Sequence, residues 1–240
     1  MSGAVPAHLV GDRWRAVRLI ARGGMGAVYE AQHHLTGERA ALKIVFAHTA
    51  FDPIAAERFV REVSLGSEIG HAGIVRVLDA GADPRTGALY LAMELLEGET
   101  LAARMNRAYD PWGATRAIAD VLDPLAAAHA KGVVHRDLKP QNVFLARRPG
   151  GGERVVLVDL GLARQMGDAG TTSTQAIVGS PGYIAPEQAT SARAATPAAD
   201  VWAAGVMLYE AWATVQPFRG ETPAAMIVAT CTTTPAPLAT

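Results

Sequence analysis

The run His135-Arg136-Asp137-Leu138-Lys139-Pro140-Gln141-Asn142 gathers a carboxylate, an ammonium and a carboxamide, and Asp159-Leu160-Gly161 adds a second carboxylate seventeen residues after Asn142. Two carboxylates, an ammonium and a carboxamide on two nearby chain segments are the groups needed to hold a magnesium–nucleotide complex and a hydroxyl together. Chemistry of that kind depends on position more than on reactivity, so the elements around these residues come next.

The flanking sequence reads as strands and helices with turn residues between them. Val143–Ala146 and Arg154–Val158 form a hairpin across a Pro-Gly-Gly-Gly turn, and Gly113–Lys131 is a helix with apolar residues at 118, 121, 122 and 125. Ala198–Ala213 places Val201, Gly205, Leu208, Tyr209 and Trp212 at helical spacing. Towards the N-terminus, Trp14–Ile20, Ala27–Gln32 and Ala40–Phe46 read as short strands, the first two joined by the glycine-rich segment Arg22-Gly23-Gly24-Met25-Gly26. Asp52-Pro53 opens a helix running to about Ile69, with a cap residue and then Pro at the first helical position. Two further strands follow near Ile74–Asp79 and Ala88–Leu95. Residues 1–10 read as a loose lead-in, Glu97-Gly98 as a boundary, and 162–184, without periodicity, as a loop.

Composition sets the limits. With 240 residues, half of them hydrophobic, the chain can bury a core in one two-lobed domain or two small ones. A formal charge of −1 with no basic run argues against a nucleic-acid partner. No apolar run reaches the roughly 18 residues of a membrane span. The single cysteine, Cys231, rules out an internal disulfide and fits a reducing, cytoplasmic setting, with a membrane anchor in a longer gene product left open.

The segment from His135 to Asn142 with Asp159-Leu160-Gly161 resembles the catalytic and metal-binding loops of eukaryotic-type protein kinases, with DLG where DFG is usual. Gly-Gly-Met-Gly-Ala-Val-Tyr and Ser-Pro-Gly-Tyr-Ile-Ala-Pro-Glu-Gln resemble the bacterial Ser/Thr branch. The resemblance implies an α+β, two-lobed protein-kinase-like fold: an N-lobe of antiparallel sheet plus one helix over 11–96, and a mainly helical C-lobe over 97–240 lacking its last helices. It implies ATP and Mg²⁺ (with Mn²⁺ as a substitute) as cofactors, and Ser/Thr-bearing proteins as substrates. Asp137 would orient the substrate hydroxyl and accept its proton, while Lys139 would stabilise charge on the transferring group. Lys43 would neutralise the α/β-phosphates and be held by Glu62. Asn142 and Asp159 would ligate the metal. The nucleotide would sit against Ala21, Arg22, Gly23, Gly24, Met25, Gly26, Val28, Ala41, Met93 and Phe144, with the backbone of Glu94 and Leu96 hydrogen-bonding the adenine edge. Only three of the 22 Lys and Arg residues are lysines, and two of those, Lys43 and Lys139, occupy these motif positions.

The same resemblance makes Thr171, Thr172 and Thr174, with Ser173 among them, phosphate carriers on an activation loop, with Arg136 as the receiver and self-association for autophosphorylation. Ser180, Pro181, Gly182 and Tyr183 would dock the substrate, with Ser180 where Thr is usual. His135 would be a packed structural histidine, Asp200 would anchor the catalytic loop from beneath, and Glu187 has no evident partner. Other departures are Ala21 at the first glycine position, Gly66 inside the first helix, and Pro124 inside a later one, where it should kink or split the helix at about 3 kcal/mol. His33-His34 reads as exposed loop rather than metal site. The rival readings are a catalytically weak pseudokinase acting as a scaffold and a small-molecule phosphotransferase of the same fold.

Overall fold

A computed structural model describes residues 5–23, 26–45, 53–160, 180–191 and 195–238, without the side chains at 53–56, 58 and 62. Thr171, Ser173 and their neighbours, Gly24, Met25, and the Glu62 side chain lie outside the described residues. The chain divides into two compact units, one of Met1–Glu68 with Val75–Glu97, the other of Ile69–Ile74 with Gly98–Thr240.

In the first unit β1 (Trp14–Gly23), β2 (Gly26–His33), β3 (Arg39–Val45), β4 (Val77–Ala82) and β5 (Leu89–Glu94) make an antiparallel sheet in the order β1-β2-β3-β5-β4. Period-two alternation drives β3: Ala40 and Leu42 are fully buried, while Ala41 and Lys43 on the other face are not. The buried face meets Trp14, Ala31, Tyr90 and Ala92, and each large apolar side chain there contributes about 1.5–3 kcal/mol by burial. Helix α1 (Pro53–Ser67) turns Phe59 and Val63, one turn apart, inward. It ends at Ser67 rather than near Ile69, so Gly66 falls in the last turn, where lost helix propensity matters less than in the interior. The lead-in differs from the loose segment read from sequence. Val10 is buried and bridges Trp14, and Asp83 accepts the Gly11 amide and an ion-pair contact from His8 at 3.3 Å.

The second unit carries β6 (Gly98–Thr100), α2 (Leu101–Arg107), α3 (Pro111–Ala130), β7 (Val143–Arg147), β8 (Glu153–Leu157), α4 (Pro186–Thr190), α5 (Pro197–Ala213) and α6 (Pro223–Thr232). Five of the six described helices start on Pro, whose missing N–H costs nothing at a position that has no helical acceptor. Thr100, Asp110 and Thr222 cap α2, α3 and α6 through side-chain oxygens. Ile118, Val121 and Leu125 on α3 and Met207 on α5 close on Leu138, Val143 and Leu157, which fixes the polar loop between α3 and β7 to the core. β6, β7 and β8 pair antiparallel in that order, the tight β7–β8 connection using positive φ at Gly150, Gly151 and Gly152.

Two expectations fail here for identifiable reasons. Helix α3 is not split at Pro124: the proline is buried within a continuous helix, its ring against Gly73, where an added Cβ would come within 3.0 Å of Pro124 Cγ. The strand placed at Ile74–Asp79 begins only at Val77, because Ile74 forms a parallel bridge with Leu157 and the Gly73 carbonyl accepts the Leu157 amide at 2.8 Å. Residues 69–74 are thereby committed to the second unit. β6, α2 and α6 were not read from the sequence, although Thr222-Pro223 gives α6 the same cap-then-Pro start as Asp52-Pro53. Among the described residues no helix is long and apolar enough to cross a membrane.

Candidate active site

The chain between α3 and β7 is pinned from below before any reactive group is placed. Asp200, on the first turn of α5 and 1 % exposed, accepts the His135 amide on Oδ2 and the Arg136 amide on Oδ1, both at 2.9 Å. His129 Nε2 on α3 lies 2.7 Å from Asp200 Oδ2. These bonds hold Arg136 at φ +68°, a left-handed conformation costly for a non-glycine residue and kept only where the surroundings over-determine it. The His135 ring is fully buried and donates through Nε2 to the Val158 carbonyl at 3.2 Å, leaving Nδ1 without a partner among the described residues.

Asp137 follows, and two donors meet at its carboxylate. Lys139 Nζ donates to Oδ2 at 2.6 Å, and the Ser180 amide donates to Oδ1 at 2.8 Å. The same ammonium donates to Ser180 Oγ at 2.6 Å. Charge-assisted bonds of this length are the strong kind, and the pair is mostly shielded, at 12 % and 20 % side-chain exposure. A carboxylate so oriented can take a proton from a hydroxyl placed against it, and an ammonium beside it can neutralise a phosphoryl oxygen.

Pro140–Asn142 forms a single tight turn that aims Asn142 back at the loop. Its Nδ2 donates to the Asp137 carbonyl at 2.8 Å, which leaves the carboxamide oxygen for a hard cation. The Asn142 carbonyl accepts the Val158 amide at 3.0 Å, so the segment carrying Asp159 starts one residue from a fixed point. Asp159 then takes φ +62°, which Asp tolerates better than most side chains. Asn142 and Asp159 offer only oxygen, the donor set Mg²⁺ prefers, and Mg²⁺ in nucleotide sites keeps most of its ligands from phosphate and water. The residues therefore fit that ion. Among the described residues no three His, Cys, Asp or Glu side chains form a metal cage. Phe144 lies on β7 opposite Thr100 and Val156.

Ser180 begins a tight turn, closed by the Tyr183 amide on the Ser180 carbonyl at 2.9 Å. The Tyr183 hydroxyl donates to Glu210 Oε2 at 2.6 Å. Burial pushes the Tyr183 hydroxyl above its usual range, and burial also raises the Glu210 carboxyl, partly offset by that hydrogen bond. At Gly182 a Cβ would collide with the Gln216 carboxamide. Glu187 is half-buried and its carboxylate has no ion pair among the described residues.

In the first unit the sheet register aligns several sequence-selected residues. Val28 lies opposite Lys43 and Ala21, and Ala41 lies opposite Met93, so these side chains share one face. Ala21 sits in a paired strand, where a methyl group is no burden. The Glu94 amide donates to the Arg76 carbonyl at 2.9 Å, which removes that donor from those available to an adenine. Gly23 pairs with Gly26, where a Cβ would meet the Ile44 carbonyl.

Residues 14–236 match the family model described as "Protein kinase domain". The chain is a protein kinase domain. It is similar to the serine/threonine-protein kinases Pkn1 of Myxococcus xanthus (42 % identical over 92 % of this chain) and PknA of Mycobacterium tuberculosis (39 % over 92 %). It is also similar to PkaA of Streptomyces coelicolor, at 38 % over 88 %. The kinase domain is thus of the bacterial, eukaryotic-like Ser/Thr type, a family that works with ATP and Mg²⁺ on protein hydroxyls. It spans 32 % of the length of Pkn1, 51 % of PknA and 40 % of PkaA. Four residues around this kinase site escaped the sequence reading: His129, Gln188, Glu210 and Gln216. Gln188 alone left a trace, since a Gln at the third position of a helix reaches back to the helix start.

Proposed function

We propose that this kinase domain transfers the γ-phosphoryl group of ATP to Ser/Thr hydroxyls with Asp137 as the proton acceptor and Lys139 as the cation on the transferring group. The observation that carries this is the three-way contact of Asp137, Lys139 and the docking residue Ser180. The incoming hydroxyl oxygen forms the new P–O bond, ADP departs, and the hydroxyl proton passes to Asp137 late in a loose transition state, so orientation outweighs basicity. Lys139 supports both roles: it fixes the Asp137 carboxylate and lies where phosphoryl charge develops. Asn142 and Asp159 would hold the metal, which when bound neutralises phosphate charge. Lys43, steadied by Glu62, would take the α/β-phosphates, with Val28, Ala41, Met93 and Leu96 around the base. Ser180 to Tyr183 would receive the peptide. Autophosphorylation between copies at Thr171, Thr172 or Thr174, read by Arg136, would regulate the site, and Mn²⁺ would substitute for Mg²⁺.

The test is incubation with Mg²⁺ and labelled ATP beside Asp137→Asn, with phosphosites mapped by mass spectrometry. Phosphate on residues 171–174 and on added Ser/Thr peptide in the parent, reduced at least about 100-fold in the variant, supports the assignment. A folded, ATP-binding parent that labels neither would turn the reading towards a scaffold. Labelling of small alcohols in preference to peptide would turn it towards a small-molecule phosphotransferase.

A further inference from the structure

Gln188 makes one bond that helix capping explains and one that it does not. Its Oε1 accepts the Ala185 amide at 3.1 Å, the ordinary reach of a third-position Gln back to the start of its own helix, here α4. Its Nε2 donates at 3.1 Å to the Arg136 carbonyl, 52 residues away on the catalytic loop. The side chain is 8 % exposed, so each of these bonds is expensive to lose. The acceptor is the carbonyl immediately before Asp137, on the residue held at φ +68°. Asp200 grips the amide side of that residue, as described above, and Gln188 grips its carbonyl side. The space around Gln188 is walled by Asp137, Leu138, Ser180, Tyr183 and Ala203. The charged groups lining it are Arg136 and Asp137, with Lys139 and Asp200 bonded directly to these and Tyr183 as the other titratable neighbour.

We propose that Gln188 is a positioning residue that couples the peptide-docking segment to the orientation of Asp137 through the Arg136–Asp137 peptide unit. The proposal rests on Asp137 being the proton acceptor. A peptide that shifts Ser180 to Ala185 moves the Gln188 acceptor contact, and Gln188 carries the shift to the peptide plane from which Asp137 springs. Gln188 acts through Asp137 and touches no substrate.

Three chains decide it: the parent, Gln188→Met and Gln188→Glu. Methionine keeps the volume and loses both bonds. Glutamate keeps the acceptor for Ala185 but puts an oxygen against the Arg136 carbonyl, and only its protonated form restores the donor. Gln188→Met is expected to fold, to lose about tenfold in kcat for peptide at saturating ATP, and to keep its KM for ATP. In Gln188→Glu the activity relative to parent should climb several-fold as pH falls from 8 to 5.5, because protonation regenerates the O–H donor. Amide hydrogen exchange over residues 136–138 should quicken in Gln188→Met. Parental kcat in Gln188→Met, or a Glu-to-parent activity ratio flat with pH, overturns the coupling. Unchanged exchange over 136–138 overturns the clamp whatever the activity. A parent without phosphotransfer removes the kinase assignment instead, and the exchange result still judges the clamp by itself.

Discussion

Glu210 is a carboxylate kept half-buried beside the Ser180–Tyr183 turn, with the Tyr183 hydroxyl as its partner. Because burial raises its carboxyl above the ordinary 4.5, its contribution to stability is complete below that ordinary value and is lost as pH rises through the shifted one. Glu210→Gln keeps an oxygen for the tyrosine and removes the ionisation. The variant should therefore gain on the parent by a few degrees in Tm between about pH 4.5 and 7, and match it at lower pH. A Tm difference that does not change across that range would contradict the assignment. The residue scale is also where the sequence was most legible. The run 135–142 and Asp159 stood out because two carboxylates, an ammonium and a carboxamide fall on two nearby segments, whereas Asp200 was named only through the family resemblance. Glu210, Gln216 and His129 did not stand out, since each acts through one long-range hydrogen bond or steric contact that leaves no local spacing.

Among the elements, β6 shows how much a three-residue strand can carry. It begins at Gly98, at φ +146°, where a Cβ would strike the Leu145 carbonyl across the β6–β7 pair. Glu99 on the same strand receives Arg104 from α2 at 2.8 Å, and Arg104 also reaches Glu153 on β8 at 2.7 Å. Gly98→Ala should destabilise the domain by about 2 kcal/mol or more, read from the denaturant midpoint at unchanged m. A midpoint within error of the parent would show that β6 can separate from β7 without cost. Strands β1, β2, β3 and β5 and helices α1, α3 and α5 were readable to within about three residues, because periodicity, Pro and Gly mark them. β6 and α2 were not, since a three-residue strand and a seven-residue helix are too short to show a period. Pro124 misled for the opposite reason: its local rule is sound, yet the helix is not split and runs on through a proline buried in the core.

For the whole molecule, the expectation is linkage between nucleotide and stability. A ligand that binds only the folded chain at 100 times its Kd adds about 2.7 kcal/mol, so Mg-ATP should raise Tm by several degrees. Chelating the metal should remove most of that rise, and Lys43→Met should reduce it. An equal rise with and without Mg²⁺ would separate nucleotide binding from Asn142 and Asp159. The single cysteine makes all these melts insensitive to intramolecular disulfides. The commitment of Ile69–Ile74 to the second unit has a consequence for synthesis. Neither unit is a continuous stretch of chain, so as the polypeptide leaves the ribosome those six residues emerge well before β8, to which they bond. The bonds of Gly73 and Ile74 to Leu157 must wait through the making of more than eighty further residues. Cutting the gene at Glu97–Gly98 would not yield two halves either. The front piece would carry a strip belonging to the rear one, and the rear piece would expose the β8 edge that the strip covers.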